Sequence, residues 1–222
     1  MLIETLTEAE ARVLGTLLEK SLATPDYYPM TLNALRNACN QKSSRDPVSE
    51  YDEAALASAL AGLKRKCLVT FIPYGSQGTQ FKYRHFLEDI RFNLGRPELA
   101  VLAVLLLRGG QTLNEIRLRA SSLEPIDSLE TAEKVLRGLA ERAEPLAELL
   151  SKRPGWKEPR WRDTVRVHGE EPASSDSSEG TAAEHPRPSQ DIEALREEVA
   201  FLRSEYAALK AIVDGIKAEL GA

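Results

Sequence analysis

The chain has 222 residues, 42% hydrophobic and 28% charged, with a net charge of −5. This is an ordinary composition for a soluble chain, with room for more than one small core. Two cysteines, Cys39 and Cys67, are too few for a disulfide scaffold, and the longest apolar run, Leu99–Leu107, is about half of what a bilayer span needs.

The charge is unevenly spread. Met1–His168 carries 24 Lys plus Arg against 22 acids, a net +2, whereas Gly169–Ala222 carries 5 against 12, a net −7. A near-neutral body argues neither for nor against nucleic acid. Each cysteine ends an apolar pattern and is expected to be a small buried hydrophobe. The N-terminus, MLIETLTEAEARVLG, carries acids where a signal peptide carries cations, so a cytoplasmic location without a membrane span is expected.

In chain order, Thr7 and Glu10 form a capping box ahead of a helical stripe of Val13, Leu14, Leu17 and Leu18. TLNALRNACN predicts a second helix with Thr31 as N-cap. A third is predicted over about Glu50–Cys67, with Ser49 as its cap and Leu56, Leu60, Leu63 and Cys67 as its core stripe. LVTFIPYGSQGTQFKYRHF predicts a hairpin turning at Gly75–Gly78. Three helices and a hairpin are the order of a winged helix.

The order recurs about eighty residues later: PELAVLAVLLLRG, TLNEIRLRASS, LETAEKVLRGLAERAEPLAELL, then a hairpin near Arg153-Pro154-Gly155. The expected fold is therefore mainly α with small β-hairpin wings, as two tandem winged-helix domains over 1–90 and 91–167. The copies differ most at SLATPDYYP and at the polar loop NQKSSRDPV, where the second copy has SLEPID.

Residues 168–190 hold no large aliphatic or aromatic residue and predict a disordered acidic, Pro- and Ser-containing linker. Residues 191–221 predict a coiled-coil helix: Ile192, Leu195, Val199, Leu202, Tyr206, Leu209, Val213 and Ile216 continue one a/d seam. Acids at g and cations at e pair only in a parallel arrangement, so the expected partner is a second copy, in a parallel homodimer.

Leu17–Val48, LLEKSLATPDYYPMTLNALRNACNQKSSRDPV, resembles the signature of the YceH-like bacterial proteins. LLLRGGQTLNEIRLR, Leu105–Arg119, resembles the matching signature, with Leu113-Asn114 where the family usually has a Pro-Gly or similar pair. The resemblance covers roughly Leu6–Arg166. It implies a tandem of winged helices and no biochemical role.

No catalytic, metal or cofactor constellation stands out. His85, His168 and His185 lack neighbours at metal-ligand spacing, and the chain has no phosphate loop or nucleophile elbow. A non-enzymatic binding protein is expected. The third helices present small or mixed outer faces, Ala54, Ser58, Ala61 and Arg65 in one copy and Lys134, Gly138 and Glu141 in the other, which are poor base readers. The wings are richer. The second carries Lys152, Arg153, Lys157, Arg160, Arg162 and Arg166 around Trp156 and Trp161, and the first carries Lys82 and Arg84. The excess polarity of the 40–47 loop adds Asn40, Gln41, Lys42 and Arg45. The expected partner is DNA held through phosphates; the alternative is an unknown protein docked on the third helices and this loop.

Overall fold

The computed structural model describes residues 5–75, 80–88, 92–152 and 155–166. The linker 168–190 and the heptad tail 191–221, with its expected dimer seam, lie outside the described residues, as do His168 and His185. Helix α1 (Glu8–Ala23) starts with the expected capping box. Thr7 Oγ1 accepts from Glu10 N at 3.2 Å, and Glu10 Oε2 accepts from Thr7 N at 2.8 Å. Two amide donors that a helix start leaves open are thereby satisfied. Strand β1 is only Met30–Thr31, and Thr31 then caps α2 (Leu32–Cys39), accepting from Ala34 N at 3.3 Å.

Helix α3 (Glu53–Arg65) starts later than expected. Asp52 rather than Ser49 caps it, accepting from Ala55 N at 2.7 Å. A carboxylate there also complements the helix dipole. The helix closes in a Schellman turn: Leu68 N donates to Leu63 O, Cys67 N donates to Lys64 O, and Cys67 takes φ +57°. That turn swings Cys67 off the apolar stripe, so it is exposed and not the core residue expected. Cys39 is buried as expected, its thiol 3.5 Å from Thr16 Oγ1.

Strands β2 (Val69–Tyr74) and β3 (Gln80–His85) pair antiparallel from Val69↔His85 to Tyr74↔Gln80. β1 adds to the far side of β3, so the sheet has order β1-β3-β2 in place of a bare hairpin. The second half repeats the sequence of elements: α4 (Arg96–Arg108), β4 (Gln111–Thr112), α5 (Leu113–Ala120), α6 (Leu129–Ala140), β5 (Ala147–Leu149) and β6 (Arg160–Asp163), with sheet order β4-β6-β5. Thr112 closes β4 and caps α5, as Thr31 does for β1 and α2. The repeated Thr-Leu-Asn triplet therefore marks the same strand-to-helix joint twice. The six helices and two small antiparallel sheets of the described residues are compatible with the expected wings. None of these helices is long and apolar enough to cross a membrane.

One apolar cluster runs through both halves, from Leu17, Leu35 and Leu60 to Leu102, Leu136 and Trp161. At its centre α1 packs on α4, whose residues Leu99–Leu107 are all buried. The closest approach is at Gly15, where a Cβ would lie 2.9 Å from Leu106 Cβ and 3.0 Å from Leu107 Cγ. Replacing a mid-helix glycine by alanine ordinarily stabilises by about 1 kcal/mol. Here overpacking against α4, worth about 1–3 kcal/mol, opposes it. Gly15→Ala is expected to lower the urea midpoint, a sign opposite to helix propensity; a raised midpoint would contradict the close contact.

The chain ends of the two halves also meet. Leu6 N donates to Val165 O at 2.6 Å in a short parallel bridge. Arg166, expected among the wing cations, is instead a buried clamp. Its guanidinium donates to Asp163 Oδ2 at 2.7 Å, Glu8 Oε2 at 3.2 Å and Leu105 O at 3.2 Å. With its donors taken and its side chain 7% exposed, it does not offer a charge to a phosphate.

Candidate functional site

The polar loop after α2 is largely structural. Asn40 clamps the far side of the loop, with Nδ2 donating to Tyr51 O at 2.8 Å and Oδ1 accepting from Tyr51 N at 2.9 Å. Gln41 accepts from Lys20 Nζ at 3.2 Å and donates to Ser43 O at 2.9 Å.

Arg45 corrects the expectation most sharply. Its side chain is 0% exposed and forms a bidentate pair with Glu19 of α1, at 3.1 and 2.7 Å. It donates further to Ala38 O at 2.8 Å and Ser44 O at 3.0 Å. Arg12 reaches the same loop, donating to Pro47 O and Cys39 O. Asp46 N donates to Leu107 O at 2.9 Å, which fastens the loop to the end of α4. The loop is a strut between halves, so its cation and amides face inward. Lys42 alone of the four expected residues is exposed. The second copy has no third half to meet, and its shorter loop is closed locally, by Ser121 Oγ donating to Ile126 O at 3.0 Å.

The outer face of α3 is as expected: Ala54, Ser58, Ala61 and Arg65 are all exposed. The small Gly62 on the inner side makes room for Glu10, whose Oε1 lies 2.0 Å from where a Cβ would sit. The first sheet carries its cations among aromatic rings. Lys64 Nζ lies 4.4 Å from the centroid of Phe71, and Lys82 Nζ 5.4 Å from that of Tyr74. Phe71 meets Tyr83 edge-on at 5.0 Å and Phe81 at 6.2 Å. Phe81 and Ile72 remain exposed. Arg84 is half-buried, with Nε out of solvent and without a partner among the described residues.

Sequence reasoning missed Lys64 and this aromatic face. The signal was present in the alternation of Phe71 with Pro73 and of Phe81 with Tyr83, which the pairing Phe71↔Tyr83 and Pro73↔Phe81 places on one side of the sheet.

The second sheet keeps less free charge than its sequence suggests. Arg162 Nε donates to Glu148 Oε1 across the strands at 2.6 Å. Arg160 donates to Gly110 O at 3.2 Å and lies 5.3 Å from the Trp156 ring. Trp161 faces the core. Lys152 and Lys157 are exposed, and Arg153 lies outside the described residues. Among the described residues of α3 and the two sheets, Lys64 and Arg65 on the first half and Lys152 and Lys157 on the second stay exposed, whereas Lys82 is half-buried and, paired with Ile72, lies on the other face of its sheet from Phe71 and Lys64.

The described residues thus form two halves with the same order of helices and small antiparallel sheets. The family is more specific: the chain matches the model for "Protein of unknown function, DUF480" over residues 6–156 and belongs to that family. It is 44% identical over 216 residues to the UPF0502 protein of Pelobacter propionicus, covering 96% of this chain and 97% of that one. It is 45% identical over 201 residues to a UPF0502 protein of Geobacter sulfurreducens, covering 89% and 90%. The UPF0502 protein of Opitutus terrae is 44% identical over 199 residues, covering 89% and 83%.

Proposed function

We propose that the protein is a non-enzymatic tandem winged-helix protein that binds duplex DNA through phosphates, using the end of α3 and both sheets as wings. The observation that supports this best is the repeated order α-β-α-α-β-β, each copy closing a three-stranded sheet beside exposed cations. Lys64 and Arg65 would grip one stretch of backbone, and Lys152 and Lys157 another. The outer face of α3 is small except for Arg65, which the proposal places on phosphate, so shape rather than sequence would dominate recognition. A parallel dimer through Ile192–Ile216 would raise the effective concentration of the second pair of wings.

Fluorescence anisotropy with a mixed-sequence duplex tests this. Affinity should fall steeply with salt. Replacing Lys64, Arg65, Lys152 and Lys157 with alanine should reduce the slope of log K against log salt by about 3–4. Absence of binding at low salt, or an unchanged slope, would overturn the reading. A second reading, a protein adaptor, is favoured by the Ala54–Ser58–Ala61 face and by exposed Ile72 and Phe81. Apolar docking there would barely respond to salt.

A further inference from the structure

Where the halves meet, α1, the strut loop, α4 and α5 leave a cavity of about 110 Å³. Arg108, from the end of α4, and Arg119, from α5, line it together with Ser44 and Glu19; Val104, Leu107 and Leu123 supply an apolar wall. The charges around it do not cancel locally. Both oxygens of Glu19 are already held by Arg45, and Lys20 stands 3.4 Å from one of them. Arg119 is engaged on one side, by Gln111 Oε1 and by Glu115 Oε1 at 3.4 Å.

The Arg108 guanidinium makes no hydrogen bond to another described residue. Burial, and then the positive charge of Arg119, push its pKa below the usual arginine range, although Asp46 and Glu19 oppose the shift. Two cations that disfavour one another across a small cavity are stabilised by an anion placed between them. Ser44 adds a hydroxyl whose hydrogen bond goes to no other described residue. It sits at φ +59°, a left-handed conformation uncommon for serine. Planar guanidinium forks and a hydroxyl suit the oxygens of phosphate or carboxylate, and the cavity is of a size for one such group.

We propose that this cavity is a binding site for a small oxyanion, with Arg108 as its principal ligand, Arg119 and Ser44 assisting, and the apolar wall excluding water behind it. The shared chemistry is a compact group with two or three anionic oxygens, carried by inorganic phosphate or by a short carboxylic acid. The site does not depend on DNA binding, since no wing residue takes part. Its walls come from both halves, so an occupied site bridges α1 and the strut loop to α4 and α5.

Thermal melts of the full chain in phosphate, acetate or malonate, each against sodium chloride of equal ionic strength, test the site. A ligand that binds only the folded state raises Tm saturably. The expected result is such a rise for wild type and for Lys134→Gln, on the exposed face of α6, and at least a tenfold weaker response for Arg108→Gln. A larger effect of phosphate identifies the free ion as the preferred form, and a larger effect of malonate or acetate a carboxylate. A rise no different from chloride, or an equal rise in Arg108→Gln, would overturn the proposal. Should Arg108→Gln fail to fold, isothermal titration of wild type with the same anions decides: saturable heat supports the site, and its absence removes it.

Discussion

Arg45→Ala is expected to destabilise the fold by about 3 kcal/mol, a fall in Tm of about 10 °C. The loop position alone suggests a mild surface substitution. The burial says otherwise: removing the guanidinium leaves the Glu19 carboxylate, itself 10% exposed, without its bidentate partner inside the junction. It also deprives Ala38 O of a donor at 2.8 Å and loosens the strut that Asp46 N anchors to Leu107 O. Lys20, 3.4 Å from Glu19, keeps the loss toward the lower end of the range for broken buried pairs. Lys42→Ala, three residues earlier and exposed, is the control and is expected to change Tm by little. A cycle with Glu19→Ala should show the two losses to be far from additive, because either change alone strands the other charge. Equal melting points for Arg45→Ala and Lys42→Ala would show that the ion pair is not holding the loop.

How much of this was legible in the sequence depended on range. Local grammar was readable: the capping box at Thr7 and Glu10, the cap at Thr31, and the outer face of α3 all follow from spacing within a few residues. Cys67 failed because periodicity continues past a helix end that only a backbone turn reveals. Strands β1 and β4 failed because two residues cannot display alternation, and each ends on the threonine that starts the next helix. Arg45 and Arg166 failed for a different reason. A cation in a polar segment has the same sequence signature whether it meets solvent or a carboxylate from far along the chain; Glu19 and Glu8 lie on α1, and the local pair of Arg166 with Asp163 does not by itself show burial. The paired strut and clamp also explain why the two halves share a core although their sequences read as separate repeats. The cavity at Arg108 and Arg119 was illegible on the same ground, since its walls come from four separate segments.

The acid limb of the stability curve should belong in large part to His85. The residue is 2% exposed at the end of β3, and its ring is held in one tautomer. Leu87 N donates to Nδ1 at 3.4 Å, so the proton resides on Nε2, which lies 3.0 Å from Ser21 Oγ. That hydroxyl donates onward to Leu18 O at 2.8 Å and is therefore free to accept from the ring. The neutral imidazole satisfies both neighbours, whereas the charged form would turn Nδ1 into a donor facing another donor. Burial, reinforced by the nearby Arg84, pushes the pKa down from 6.5 to about 4. Between these values the unfolded chain binds a proton that the folded chain does not. Stability is therefore fully present above pH 6.5 and is lost as pH falls toward 4, by about 3 kcal/mol in all. His85→Gln keeps an amide donor toward Ser21 and has no titration in this window. Urea midpoints between pH 7 and 4 should fall more steeply for wild type than for the variant, with contributions common to both cancelling in the difference. Parallel curves would mean that His85 protonates in the folded state without resistance, and that the Leu87–His85–Ser21 chain does not fix its tautomer.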